Sequence, residues 1–198
     1  MGSKRIILAS SSPRRKYLLK MILSNFGLKF DIIPANIIEY IPQNTAKYSI
    51  LVKKLALGRA KSISEIRDGI IIGADTIVVL KGKVLGKPNS KREAAKMLRV
   101  LSGKEHIVYT GIAIYDSFSH EKYIDYEMTK VKFRDIEGDE IKFYVSSNSP
   151  LDKAGSYGIQ DDFGSTFVER ISGDYFNVVG LPVVKTYIGL KKMLNLKL

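Results

Sequence analysis

The spacing of apolar residues divides the first part of the chain into short strands and amphipathic helices. An apolar run over residues 4–9 predicts a buried strand. Ser12 and Pro13 follow it as N-cap and first helical residue, because a serine hydroxyl accepts from a free amide and proline has no amide to leave unpaired. A helix is therefore predicted over 14–26, and a second strand near 30–34.

The same two periodicities continue to the end of the chain, with glycine, serine and proline at the breaks. The further predicted elements are a helix over 46–66, a hairpin over 71–86, a helix opened by the capping-box pair Ser90 and Glu93, two hairpin strands over 104–117 and 121–134, a helix over 137–147, a strand over 166–171 and a terminal helix from about Pro182. Strands joined sometimes by helices and sometimes by tight turns predict an α/β fold of the α+β kind, with a mixed sheet flanked by helices. Because the chain shows no repeats and no long linker, residues 1–198 are expected to form one domain.

The charge of the chain points to anionic partners. Its 198 residues carry a formal net charge of +12, which favours nucleotides, nucleic acid or acidic lipid as ligands. The basic residues are scattered, however, so solubility explains much of the excess. Aromatic residues are not interleaved with basic ones as in a base-stacking platform, and this makes a nucleic-acid partner a weaker expectation than a nucleotide.

Several classes of site are excluded by residue counts. The chain has no cysteine, so disulfides, thiolate nucleophiles and cysteine zinc sites are absent. His106 and His120 are the only histidines, and neither lies in a nucleophile-elbow context. No apolar run approaches the roughly 18 residues of a membrane span, and the N-terminus lacks a signal-peptide core. A soluble, cytoplasmic protein is expected.

The first candidate site is the segment from Ser10 to Arg15. A strand delivers three serines and the free amides of a helix start, and two arginines follow at once. Helix N-termini attract anions, and guanidinium groups match phosphate oxygens. Ser10, Ser12, Arg14 and Arg15 are therefore predicted to cradle a phosphate. An ordinary capped helix with two arginines facing solvent is the alternative.

The second candidate site joins Asp75 to Lys87. An apolar run delivers Asp75 and Thr76, and Lys87 stands beside Pro88 after the next strand, so a strand is expected to end near each charged residue. A carboxylate at this place is costly to bury without a partner. With Glu39 from a polar loop, Asp75 would hold Mg²⁺ for phosphate chemistry, or Asp75 would accept a proton from attacking water. A buried hairpin with a solvated turn is the alternative.

The third candidate is the glycine-rich segment 150–164. Small residues allow close approach of a ligand to the backbone, and the amide of Gln160 offers both a donor and an acceptor to a base edge. A surface loop with an internal contact between Asp152 and Lys153 is the alternative. Residues 173–182 are expected to be a structural turn into the last helix.

Taken together, these segments resemble the Maf family of nucleoside triphosphate pyrophosphatases. The resemblance covers nearly the whole chain in the family's order, and its parts are Leu8-Ala9-Ser10 with Ser12-Pro13-Arg14-Arg15, Gly73-Ala74-Asp75-Thr76, Gly86-Lys87-Pro88, Leu101-Ser102-Gly103 with His106, Tyr109-Thr110-Gly111, Leu151-Asp152-Lys153-Ala154-Gly155, Tyr157-Gly158-Ile159-Gln160 and Asn177-Val178-Val179-Gly180-Leu181-Pro182. Any one part is weak evidence, whereas the ordered set is specific.

The resemblance implies a mixed, curved sheet with two lobes around a central cleft, and commonly a homodimer. It also implies hydrolysis of a nucleoside triphosphate to monophosphate and pyrophosphate with a divalent cation, Mg²⁺ or alternatively Mn²⁺. The form of residues 152–160 resembles the branch that acts on dTTP and UTP, including modified pyrimidine nucleotides.

Position by position, Asp75 resembles the family's proton acceptor, and Lys87 a lysine that contacts phosphate. Positions tied to substrate choice are matched by Arg14, Thr76 and Gln160, and the metal-binding acid is matched more loosely by Glu39. The sequence departs from the family at three places: Arg59 replaces a lysine, Ser149 replaces a glutamate, and Asp161 replaces a glycine. Two alternatives stay open, a basic protein that binds nucleic acid and a catalytically weakened regulatory protein of the same fold.

Overall fold

A mixed sheet forms the centre of the protein in a computed structural model that describes residues 5–36, 47–147, 149–160 and 163–196. Within those ranges the sheet has seven strands, namely β1 (Ile6–Leu8), β2 (Asp31–Ile32), β3 (Ile70–Leu80), β4 (Lys83–Leu85), β5 (Glu105–Asp116), β6 (Lys122–Phe133) and β7 (Val168–Ser172). Their order is β2-β1-β3-β5-β6-β7, and β4 pairs with β3. Strand β1 is parallel to both its neighbours, and the other pairs are antiparallel. The predicted mixed sheet is confirmed.

Helices cover the sheet at the places that the apolar periodicity predicts. They are α1 (Pro13–Ser24), α2 (Tyr48–Ser64), α3 (Lys91–Leu101), α4 (Gly138–Ser146), α5 (Tyr175–Val179) and α6 (Val183–Leu194). Helix α5 is a correction, since the sequence predicts only a turn there. Asp174 accepts a hydrogen bond from the amide of Phe176 at 2.8 Å, and this cap stabilises a helix of five residues. None of the helices in the described ranges has the length and apolar content to cross a bilayer.

Two serine caps fix where helices begin. Ser12 Oγ accepts from the amide of Arg15 at 3.5 Å, and Ser90 Oγ accepts from the amide of Glu93 at 3.2 Å. The predicted capping box is therefore only half formed, because the carboxylate of Glu93 accepts from the amide of Asn89 at 2.7 Å rather than from Ser90. The start of α1, with Pro13 as its first residue, lies as predicted.

Strand β3 changes its neighbour along one edge. Residues 70–72 pair with β1 and residues 78–80 pair with β4, while β5 pairs with the other edge over residues 70–79. In the described part of the chain, residues 73–77 thus have no strand beside them on the first edge. The expectation that a strand ends near Asp75 is wrong. The apolar run continues over residues 77–80, and there β3 pairs with β4 on one edge and with β5 on the other.

Helix α2 lies directly on one face of the sheet. A Cβ atom at Gly73 or Gly111 would collide with the α2 backbone, so only glycine permits this approach. On the opposite face, one apolar cluster packs under α1 and α6 and another packs under α3 and α4. The unpaired part of β3 lies between these two clusters, and there a cleft opens.

Candidate active site

The cleft brings together most of the residues that the sequence predicts as a site. It is lined by the start of α1, the middle of β3, the residues after β4, the segment 152–160 and the end of α5. The predicted residues that line it are Ser12, Arg14, Arg15, Asp75, Thr76, Lys87 and Gln160. Ser10 is buried behind the cleft and contacts Arg15. Glu39 lies outside the described residues.

Asp75 is buried against a cation of α2. Its carboxylate is 5% exposed, and Oδ1 accepts hydrogen bonds from Arg59 Nε at 3.0 Å and Nη2 at 2.9 Å. Both bonds reach the same oxygen, so Oδ2 makes no hydrogen bond to the described residues. The ion pair satisfies the carboxylate that the sequence leaves without a partner.

Sequence reasoning noted Arg59 only as a departure from the family. The sequence does indicate that Arg59 faces the interior, because it follows Leu51 and Leu55 at intervals of four residues and so extends the apolar face of α2. A charged side chain on a buried helical face needs a partner of opposite charge. The sequence alone did not identify that partner, which lies on β3.

Arg15 is held by three hydrogen bonds to the protein. Nε donates to the carbonyl of Gly180 at 2.9 Å, Nη1 to Ser10 Oγ at 3.4 Å and Nη2 to Thr76 Oγ1 at 3.1 Å. Burial lowers the pKa of Arg15 to about 10, with Asp75 opposing the shift and neighbouring arginines adding to it. The guanidinium therefore stays charged at neutral pH, in a fixed orientation. Gly180 is a residue that the sequence assigned only to a turn.

Arg14 crosses the cleft to the segment 149–160. Its Nη1 lies 3.1 Å from Asp152 Oδ2, and Lys153 Nζ lies 2.7 Å from Oδ1 of the same carboxylate. Burial by itself would raise the pKa of Asp152, but the hydrogen bond from Lys153 and the charge of Arg14 outweigh it and lower the pKa. Lys153 also donates to the carbonyl of Ser149 at 2.6 Å and to its hydroxyl at 3.1 Å. The departure at Ser149 is thus a change beside a buried ammonium.

Lys87 presents a charge to the cleft. Its side chain makes no hydrogen bond or ion pair with the described residues. Its pKa is lowered, first by burial of the ammonium and then by the charges of Arg15 and Arg59, with Asp75 and Asp152 opposing. A cation that is partly desolvated among other cations gains free energy when an anion binds beside it.

Tyr157 anchors the segment 149–160 to the sheet. Its hydroxyl lies 2.8 Å from Nε2 of His106, which is 1% exposed on β5. Burial lowers the pKa of His106 to about 4 and raises the pKa of Tyr157, so both are neutral at pH 7. Gln160, three residues beyond Tyr157, is exposed at the outer end of the cleft.

The charge of the cleft suits a polyphosphate. Its described lining has five cationic side chains and two carboxylates, and these are Arg14, Arg15, Arg59, Lys87, Lys153, Asp75 and Asp152.

The described ranges contain no cluster of three or more acidic or histidine side chains that would hold a metal alone. Asp75 Oδ2 fits Mg²⁺, however, because this ion takes one or two carboxylates and completes its shell with water and phosphate oxygens.

The chain is similar to known proteins along nearly its whole length. A family model described as Maf-like protein matches residues 5–193. A dTTP/UTP pyrophosphatase of Clostridium tetani is 48% identical over 190 residues, covering 94% of this chain and 96% of the relative. Another dTTP/UTP pyrophosphatase, from Caldanaerobacter subterraneus subsp. tengcongensis, is 46% identical over 199 residues, covering 100% of this chain and 93% of the relative. A solved HAM1 protein from Coxiella burnetii has the same fold, at 15% identity and a TM-score of 0.52 over 98% of this chain and 99% of that one.

Proposed function

Because the chain belongs to the Maf family, as its motifs predict, we propose that it hydrolyses dTTP and UTP to the nucleoside monophosphate and pyrophosphate. The observation that carries this proposal is the convergence of three distant segments. One carboxylate, Asp75, lies in the same cleft as Arg14, Arg15 and Lys87. This is the arrangement that attack on a triphosphate requires, since charge on the phosphates must be neutralised while a proton is removed from water.

In the proposed reaction a water oxygen attacks the α-phosphorus. The bond from the α-phosphorus to the oxygen that bridges it to the β-phosphorus breaks, and pyrophosphate leaves with that oxygen. The proton of the attacking water passes to Asp75. Arg59 supports this role because it binds Oδ1 and leaves Oδ2 for the water.

The cations have different parts in binding. Arg15 is held by the protein and offers a fixed charge, whereas Lys87 has no partner in the described part of the chain and gains one when phosphate binds. Arg14 exchanges contact with Asp152 for contact with substrate. Gln160, at the outer end of the cleft, pairs with the edge of the pyrimidine.

A divalent cation fits this site. Glu39 and the lone pair of Asp75 Oδ2 that the water does not use would hold it, and Mg²⁺ is the first choice, with Mn²⁺ as the alternative. When bound, such an ion supplies positive charge to the phosphate oxygens. A homodimer, which the resemblance implies, and a cytoplasmic location, which is expected from the sequence, remain predictions.

The purified protein should be incubated with Mg²⁺ and dTTP, UTP, CTP, dATP or GTP in turn, and its products separated. We expect equal amounts of monophosphate and pyrophosphate, with dTTP and UTP as the best substrates. Release of orthophosphate alone would overturn the proposal in favour of γ-phosphate chemistry. Salt-sensitive binding of nucleic acid without turnover of any nucleotide would favour the alternative of a basic binding protein.

A further inference from the structure

We propose that Thr110 is a positioning residue for Arg15, acting through the hydroxyl of Thr76. The inference rests on the proposed function, since Arg15 is one of the cations expected to bind the triphosphate. Thr110 lies on β5, directly opposite Thr76 of β3, and is fully buried. It does not line the cleft, so any effect that it has on substrate must pass through another residue.

A continuous chain of hydrogen bonds joins Arg15 to the interior. Arg15 Nη2 donates to Thr76 Oγ1 at 3.1 Å, and Thr76 Oγ1 lies 3.0 Å from Thr110 Oγ1. Thr110 Oγ1 in turn donates to the carbonyl of Asn177 at 2.9 Å. The chain therefore begins at a cation in the cleft and ends at a backbone oxygen of α5.

The direction of every proton in this chain is fixed by its two ends. A backbone carbonyl only accepts, so Thr110 must give its single hydroxyl proton to Asn177. Thr110 can then only accept from Thr76, and Thr76 must give its own proton inward. A guanidinium only donates, so a lone pair of Thr76 is left to face Arg15, as the geometry requires.

This direction has a consequence for the cleft. The hydroxyl of Thr76 can accept a hydrogen bond there but cannot donate one to a phosphate oxygen. Its function is to hold Nη2 of Arg15, while Gly180 and Ser10 hold Nε and Nη1. A guanidinium has five N–H groups, so three are bound by the protein and two remain for phosphate oxygens. Without the hydroxyl of Thr110, the proton of Thr76 has no inner acceptor that fixes its direction, so the hydroxyl can rotate away from the orientation that accepts from Nη2.

The test compares Thr110→Val with a matched substitution elsewhere, Thr186→Val. Thr186 is also fully buried, and its hydroxyl donates to the carbonyl of Pro182 at 2.7 Å, far along the chain in α6. After either substitution the carbonyl that loses the hydroxyl still accepts from a backbone N–H. Gly180 N–H donates to the carbonyl of Asn177, and Thr186 N–H donates to the carbonyl of Pro182. The two variants should therefore have similar melting temperatures.

Their kinetics with dTTP should differ. We expect Thr110→Val to lose about tenfold in kcat/KM, mainly through a higher KM, because a cation that binds substrate loses its orientation. Thr110→Ser, which keeps the hydroxyl, should stay within about twofold of the unchanged protein. Thr186→Val should keep its kcat/KM.

A double substitution shows whether Thr110 acts through Thr76. In a Thr76→Val background, Thr110→Val should cause no further loss of kcat/KM, because the hydrogen-bond chain from Thr110 to Arg15 is already broken. If Thr110→Val does not fold, Thr110→Ala removes the same hydroxyl from a smaller side chain and is measured instead. Unchanged kcat/KM on loss of the hydroxyl, or a full additional loss in the Thr76→Val background, would overturn the inference. Absence of pyrophosphate release by the unchanged protein would refute the proposed function itself. Failure of the proposed function can therefore be told apart from failure of the inference about Thr110.

Discussion

The two walls of the cleft are built differently. On the sheet side, Asp75, Thr76 and Arg15 each hydrogen-bond to protein groups. The partners of Thr76 and Arg15 include two buried hydroxyls and a backbone carbonyl. On the opposite side, the segment 149–160 contains two short 3₁₀ turns followed by irregular backbone, and the side chain of Asp152 is 50% exposed. The sheet wall thus holds charges in fixed positions, which is what stabilisation of a developing charge requires.

The segment 149–160 is suited to another task. Gly155 has φ of 70° and lies so close to Val78 that a side chain would clash, so the chain can turn against β3 only at glycine. Beyond this turn, Tyr157 is anchored by His106, while Gln160 is free to face a ligand. Exposed polar groups on irregular backbone commonly select ligands, because they can change without disturbing the core. We therefore expect the sheet wall to serve the chemical step and the segment to serve the selection of substrate.

The largest effect is expected at the carboxylate of the sheet wall. Asp75→Asn should lower kcat with dTTP by roughly 10²–10⁴, because the amide cannot accept the proton of water. The amide oxygen can still accept from Arg59, so the fold should stay intact, but the melting temperature should fall because the guanidinium loses its counter-charge. Pyrophosphate release by the two proteins, measured at equal concentration, tests this expectation. Turnover near that of the unchanged protein would remove Asp75 from the role of base.

A smaller effect is expected at the cation that holds this carboxylate. Arg59→Gln should lower kcat/KM by about 10² and destabilise the fold by about 3 kcal/mol, since it leaves a buried charge unpaired. Arg59→Lys keeps the charge with fewer donors and should lose at most about tenfold. Steady-state kinetics and thermal unfolding measure the two effects. Equal kinetics for the glutamine variant and the unchanged protein would show that Arg59 has no part in orienting Asp75.

A substitution in the segment 149–160 should change the preference among nucleotides rather than the rate of hydrolysis. Gln160→Ala should reduce the ratio of kcat/KM for dTTP over CTP by about tenfold, the value of one lost hydrogen bond to the base. The maximal rate with dTTP should stay within about threefold, because no group that holds the phosphates has moved. Competition between the two nucleotides in one mixture gives the ratio directly. A lower rate with an unchanged ratio would assign Gln160 to chemistry.

The smallest effect on catalysis is expected at the anchor of the segment. Burial holds the pKa of His106 near 4, below its ordinary value of 6.5, so the unfolded chain binds more protons between these two pH values. The stability from this group is present above pH 6.5 and is lost as the pH falls through 4, with a loss on the order of 2 kcal/mol at pH 4.5.

Urea unfolding at pH 7 and pH 4.5 measures this loss. His106→Gln, which does not titrate, should lose correspondingly less stability between the two pH values, and its turnover at pH 7 should be nearly normal. Equal losses in both proteins would place the acid sensitivity elsewhere.

Periodicity predicted regular elements well and three-dimensional partners poorly. The cap at Ser12 and Pro13, the helices other than α5 and the long hairpin strands follow from local spacing, because each is determined by residues close in sequence. The pairing of Arg59 with Asp75 is not local, since it depends on two glycines that bring α2 onto the sheet. The contact could therefore be identified only from the three-dimensional structure.

The shape of the cleft was also beyond local reasoning. Whether β3 ends or continues at Asp75 depends on which strand lies beside it, and its neighbour changes from β1 to β4 at that point. The carbonyl of Gly180 and the hydroxyl of Thr110 had no chemical signal in the sequence, because an ordinary turn glycine and an ordinary strand threonine look the same there. Patterns of charge and polarity indicated candidate residues segment by segment, and the resemblance to a family grouped these segments into one site.

Hydrolysis of dTTP in water enriched in ¹⁸O tests the central claim most directly. If water activated by Asp75 attacks the α-phosphorus, mass spectrometry of the products will find one ¹⁸O atom in the nucleoside monophosphate and none in the pyrophosphate. Label in the pyrophosphate would place the attack at the β-phosphorus and contradict the account.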